Sequence, residues 1–103
     1  MVFLVLTWNI LPDRVKQYND WVKKTGTPFW KRYEGIRELR GYRNALNPLQ
    51  AIAIVEFDSQ AKLEQLLKSE EYAKVIEQAQ TMTCNWTQQL WVKSPLLPKR
   101  FTG

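Results

Sequence analysis

Val2-Phe3-Leu4-Val5-Leu6-Thr7-Trp8 is an almost unbroken run of apolar, β-forming residues. A strand with one wet face alternates apolar and polar side chains, so a run without that alternation predicts a strand covered on both faces. Leu49 to Phe57 carries the same signature, with Ala51, Ala53 and Val55 on one side and Ile52 and Ile54 on the other. Two such strands in one short chain need a layer of cover on each face of their sheet.

The segments around these strands supply one layer. Pro12 and Asp13 open a helix in which Val15, Tyr18, Trp21, Val22 and Thr25 recur at helical spacing up to Gly26. Thr27 then reads as the cap of a restart that carries Phe29, Trp30 and Tyr33 to Gly35. Glycines 26 and 35 read as helix ends and Gly41 as a strand kink. Ile36 to Arg43 alternates, and the turn-rich Asn44-Ala45-Leu46-Asn47-Pro48 connects it to Leu49–Phe57 as a hairpin. Asp58 or Ser59 caps a second helix bearing Leu63, Leu66 and Leu67. Its apolar set resumes out of register at Tyr72, Val75, Ile76 and Ala79, which predicts a bend near Ser69. A last strand spans Met82 to Lys93, with Cys84, Trp86, Gln88, Leu90 and Val92 on one side and Asn85, Thr87, Gln89 and Trp91 on the other. The order β-α-β-β-α-β specifies an α+β, ferredoxin-like sandwich: a four-stranded antiparallel sheet with two helices on one face. The other face requires a second sheet, so the chain is expected to pair with a copy of itself, a homodimer, as a dimeric α/β barrel. Residues 1–94 form the domain and 95–103 a C-terminal tail.

Composition agrees with this and narrows the chemistry. The 103 residues, 45% apolar and 24% charged, suit one globular domain. Five Trp, four Tyr and four Phe are too many for a core this small, so some belong to an interface or a pocket. The apolar start has no basic leader and is too short to cross a membrane, and the only cysteine, Cys84, reads as a small buried strand residue; a cytoplasmic protein without membrane partners is expected. Of the net charge of +5, the excess lies between Arg14 and Arg43, where Lys16, Lys23 and Lys24 read as the solvated face of a helix. The absence of histidine removes the usual ligands of zinc, copper and haem and the base of Ser-His-Asp or Cys-His catalysis. No glycine-rich phosphate loop is present. Neither a metal nor another cofactor is expected.

A basic βαββαβ chain also invites comparison with RNA-recognition motifs, whose strands one and three present aromatic residues for base stacking. Here Gln50-Ala51-Ile52-Ala53-Ile54-Val55-Glu56-Phe57 places Ile52 and Ile54 at the stacking positions, and strand one offers Leu6. Aliphatic side chains forfeit much of the roughly 1–3 kcal/mol per base that stacking supplies, so nucleic acid is not expected as a partner.

Four features point elsewhere: a first strand ending in Trp8-Asn9, the Tyr33-Glu34-Gly35-Ile36 approach to strand two, the Ala53-Ile54-Val55-Glu56-Phe57-Asp58-Ser59 passage, and the Leu67-Lys68-Ser69-Glu70-Glu71-Tyr72 bend. Over residues 1 to about 94 the chain resembles the dimeric α/β-barrel superfamily, and within it the antibiotic-biosynthesis monooxygenase family. The superfamily's haem-degrading branch is matched at Asn9 and along Leu66–Ser69, but its functional Trp falls on Leu66 and its haem-ligating His on Ile76, so haem degradation is not implied. The resemblance implies a cofactor-independent monooxygenase acting on a small aromatic or hydrophobic substrate, with a non-catalytic ligand-binding barrel as the alternative. In an oxygenase of that kind the ionised substrate itself reacts with oxygen while the protein shapes the pocket. The candidates are Asn9 as an amide donor at the end of strand one, in a crevice between sheet and helices; Arg40 against a substrate anion; and Tyr72 or Tyr33 as proton relay. Trp8, Trp30, Tyr33 and Trp86 are the candidate ligand walls.

Overall fold

The computed structural model describes residues 1–94 and Leu96; the expected tail, Leu96 aside, lies outside the described residues. Strand β1 (Val2–Ile10) is central, and the sheet order is β2-β3-β1-β4 with β2 at Ile36–Asn44, β3 at Asn47–Phe57 and β4 at Thr83–Val92. Every neighbouring pair is antiparallel. The helices are α1 (Val15–Trp21), α2 (Thr27–Arg32), α3 (Gln60–Lys68) and α4 (Glu70–Gln80). This is the α+β ferredoxin-like sandwich that the element order specifies.

Along β1, alternate residues Val2, Leu4, Leu6 and Ile10 are buried toward the helices, as are Ala51, Ala53, Val55 and Phe57 of β3. They pack with Phe29, Leu63, Leu66, Tyr72 and Val75. Phe29, Leu63 and Leu66 are wholly inaccessible, and each such side chain contributes about 1.5–3 kcal/mol of transfer free energy. The opposite face of the sheet carries Phe3, Val5, Ile52 and Ile54 half-buried and Tyr42 and Trp91 exposed, with no helix over it among the described residues.

Several local expectations need correction. The first helical run does not stop at Gly26: Gly26 (φ −62°, ψ −60°) and Thr27 (φ −62°, ψ −45°) are both helical, and Val22–Gly26 forms a π-turn in which the Thr27 N–H reaches Val22 O. Pro28 has no N–H to donate, and it stands in the first turn of α2, directly after this wide turn. Gly26 is there for space, since a Cβ would stand 3.1 Å from the Trp21 ring. Gly41 makes no kink, because the β2–β3 register runs unbroken from Arg40↔Ile54 to Tyr42↔Ile52. The hairpin turn is only Ala45-Leu46, braced by the Leu46 N–H donating to Asn44 Oδ1 at 2.9 Å.

The second helical run stops short of Gly35: it ends at Arg32 with Tyr33 already extended (ψ 124°), and Gly35 takes φ +94° in the turn that follows, while the helix bend is at Ser69 as expected. There the backbone turns extended (ψ 138°) while the Ser69 hydroxyl accepts from the Tyr72 N–H at 2.9 Å, capping α4. Ser59 rather than Asp58 caps α3, accepting from the Lys62 N–H at 3.2 Å.

The alternation expected along the last strand fails at one point. Thr7 pairs with Thr87 and Asn9 with Cys84, so Asn85 and Trp86 together oppose Trp8, and Asn85 takes φ +56°. This β-bulge shifts the pattern by one residue. Cys84 is consequently exposed and on the face away from Trp86, not the buried neighbour the alternation implied.

Candidate functional site

Small side chains on the sheet create the site. Gly41 and Ala53 leave a hollow beneath the first helical run, and α4 closes its far side with Val75, Ile76 and Ala79. The resulting cleft holds about 310 Å³ and is walled by Trp8, Tyr18, Trp21, Trp30 and Trp86. The bulge at Asn85 turns Trp86 toward the helices, where its ring stacks on Trp8 at 4.8 Å between centroids and 17° between planes. Three of the four indoles are anchored through their N–H groups: Trp86 donates to Thr83 Oγ1 at 2.6 Å, Trp21 to Gln78 Oε1 at 2.8 Å and Trp8 to Tyr18 Oη at 3.0 Å. Thr83 in turn donates to Ala79 O at 2.7 Å, tying the Trp86 anchor to α4. Trp30 stands edge-on to Phe29 at 5.1 Å.

A shallower hollow of about 410 Å³ opens from the same place, sharing Trp8, Tyr18, Val22, Gly41 and Ala53 and adding Asn19, Lys23, Tyr42 and Arg43. The Arg43 guanidinium carbon lies 5.7 Å from the Tyr18 ring centroid. Burial pushes the Tyr18 phenol above its ordinary pKa, and the Trp8 hydrogen bond and the Arg43 charge offset only part of that rise. Tyr18 is therefore a neutral phenol at physiological pH. Its oxygen already accepts from Trp8, so its own proton is available to a ligand.

Of the residues singled out from the sequence, Trp8, Trp30 and Trp86 line the cleft. Tyr33 packs on Phe29 at 5.8 Å, and Tyr72 stands behind the wall, donating to Gln88 Oε1 at 2.7 Å with its phenol pushed up to about 12 by burial. Asn9 is not in the crevice between sheet and helices. It alternates with Trp8 and Ile10, both of which face the helices, and it pairs with Gln50 and Cys84 on the open face. Arg40, likewise, is on the open face beside Ile54 and forms an ion pair with Glu38 at 3.4 Å. The sheet thus separates both residues from the aromatic cleft. Tyr18, Trp21 and Arg43 line the two hollows instead. Tyr18 and Trp21 were visible only as an apolar helix stripe, while Arg43 shares its strand face with Leu39 and Gly41, a signal the alternation did contain. Among the described residues no group of three or more His, Cys, Asp or Glu side chains is placed to hold a metal ion. No helix among them is long and apolar enough to cross a membrane.

No protein-family model and no curated protein matches this chain. Solved structures match it in fold. An antibiotic biosynthesis monooxygenase superposes with a TM-score of 0.77 at 12% identity, covering 92% of this chain and 100% of its own. SnoaB, a cofactor-independent oxygenase from Streptomyces nogalater, does so with a TM-score of 0.75 at 13% identity over 95% and 97% of the two chains. A conserved protein from Methanosarcina mazei Go1 gives 0.76 at 16% identity, over 91% and 94%. Likeness at such low identity shows the fold, the ferredoxin-like sandwich of antibiotic biosynthesis monooxygenases.

Proposed function

We propose that residues 1–94 form a cytoplasmic, homodimeric domain that binds a planar aromatic small molecule in the tryptophan-walled cleft. The observation that carries this reading is the Trp8–Trp86 stack at the centre of an apolar hollow of about 310 Å³. That volume suits a ligand of two or three fused rings, at the small end of the usual range for ligand sites. Indoles held by their own hydrogen bonds offer flat surfaces without further loss of side-chain freedom. The homodimer is supported by the apolar face of Phe3, Val5, Ile52 and Ile54, and an exposed cysteine accords with a reducing compartment.

A second reading, cofactor-independent oxygenation of that ligand, is favoured by one observation, the Tyr18 phenol that lines both hollows with its oxygen accepting from Trp8 Nε1–H, in the fold that SnoaB also has. An ionised, electron-rich phenol would donate electrons to oxygen, and the Tyr18 O–H would hydrogen-bond to the developing oxyanion. Asn9, Arg40 and Tyr72 take no part in either reading.

Tryptophan fluorescence tests the primary reading. Naphthalene-2-carboxamide should quench emission saturably in the wild type and lose most of its affinity in Trp8→Ala/Trp86→Ala. Absence of saturable quenching up to millimolar ligand would sink the proposal. Oxygen uptake above the uncatalysed rate with a dihydroxynaphthalene separates the oxygenase from the binder.

A further inference from the structure

We infer that the ligand is an aromatic carboxylate whose oxygens are held at the cleft mouth by Tyr18, Lys23 and Arg43 while its rings lie against Trp8. The inference rests on the aromatic-cleft reading and specifies which aromatics the cleft takes.

Arg43 differs from the other arginines among the described residues. Arg14 lies 4.0 Å from Asp13, Arg37 lies 3.6 Å from both Glu56 and Asp58, Arg40 lies 3.4 Å from Glu38, and Arg32 is paired with Glu71. Arg43 has no carboxylate within that range among the described residues. Its Nη1 donates to Pro48 O at 2.9 Å, and its guanidinium leans over the Tyr18 ring. Two weak restraints thus hold the group in place while leaving its charge unneutralised and most of its donors unused. Lys23, on the facing helical run, lines the same mouth and likewise has no acid within ion-pair distance among the described residues.

The surroundings reinforce the bias. Neither hollow has an Asp or Glu among its lining residues, although the chain carries ten acids, and Asp20, three residues from Lys23, lines neither. Tyr18 adds a short-range donor: with its oxygen occupied by Trp8 Nε1–H, the phenol proton is the group left for an incoming oxygen. Two unpaired cations, one uncommitted O–H and no competing carboxylate, set at the end of an apolar slot, form a recognition pattern for an aromatic acid. The apolar depth excludes inorganic anions as the preferred occupant, because they would leave the indole walls uncovered.

Calorimetric titration of the intact chain with naphthalene-2-carboxylate and its uncharged isostere naphthalene-2-carboxamide tests this. At low salt the carboxylate should bind about five- to tenfold more tightly, and the ratio should fall toward one at 0.5 M salt, where the Debye length shrinks to roughly 4 Å. The ratio should also fall toward one in Arg43→Gln/Lys23→Gln, whose folding is verified by circular dichroism; the salt series on the wild type decides the matter even if that variant does not fold. Equal affinity for the two compounds, or a carboxylate preference that persists in high salt, overturns the inference and leaves the aromatic cleft standing. Failure of both compounds to bind removes the cleft reading and this inference together.

Discussion

Trp8→Phe tests the centre of the site, since Trp8 joins β1, Tyr18 and Trp86. The substitution removes the Nε1–H donor to Tyr18 Oη, a half-buried hydrogen bond of about 1 kcal/mol. It also replaces an indole stacked at 4.8 Å with a smaller ring, sacrificing about 0.5 kcal/mol of aromatic interaction. The void left where the second ring stood costs roughly 1 kcal/mol more. The sum, about 2–3 kcal/mol, should lower the melting temperature by about 10–20 °C in a domain of this size. Urea unfolding followed by circular dichroism gives the free energy directly, and a cycle with Tyr18→Phe isolates the hydrogen bond, for which a coupling of about 1 kcal/mol is expected. A coupling near zero would show that Trp8 does not hold Tyr18, and the donor geometry assigned to the cleft mouth would fall with it.

Gly35→Ala should cost about 2–3 kcal/mol by urea unfolding, roughly 1–2 kcal/mol of it from the positive φ and the remainder from a Cβ driven to 2.9 Å from the Lys62 Cβ and Cγ; a loss below half of that would contradict the turn geometry. Tyr72 is neutral in both states below pH 10 and, in the folded state, remains so up to about 12, so its contribution is intact below pH 10 and is lost as the pH rises from there toward 12. Wild-type stability should therefore decline by on the order of 2 kcal/mol across that window, and an equally steep decline in Tyr72→Phe would refute the assignment. Ile54→Lys, on the open sheet face, should give a folded monomer in sedimentation velocity where the wild type sediments as a dimer; a wild-type monomer at micromolar concentration would remove the dimer proposal. Asn9→Ala should leave naphthalene-2-carboxamide affinity within twofold, and a tenfold loss would restore Asn9 to the ligand site.

The four strands, the helix bend at Ser69 and the turn at Gly35 were legible because each depends on local rules. Side-chain alternation, a serine cap and the left-handed tolerance of glycine act within a few residues. Trp8, Trp30 and Trp86 were also identifiable as pocket residues, since so small a core cannot absorb five indoles. Asn9 and Arg40 were misplaced for a different reason: their residue types suit the chemistry, but which face of the sheet they occupy depends on where the helices pack. Cys84 and Trp86 parted company at a bulge that no periodicity announces, because Asn85 takes a positive φ only in response to the strand beside it. The aromatic cleft itself exists because Gly41 and Ala53 come to lie under Tyr18 and Trp30 from distant parts of the chain. Order and pattern along 103 residues determined the layers of this protein; the juxtaposition of Trp8, Tyr18, Arg43 and Trp86 was decided only in three dimensions, where strand register and helix packing choose which side chains meet.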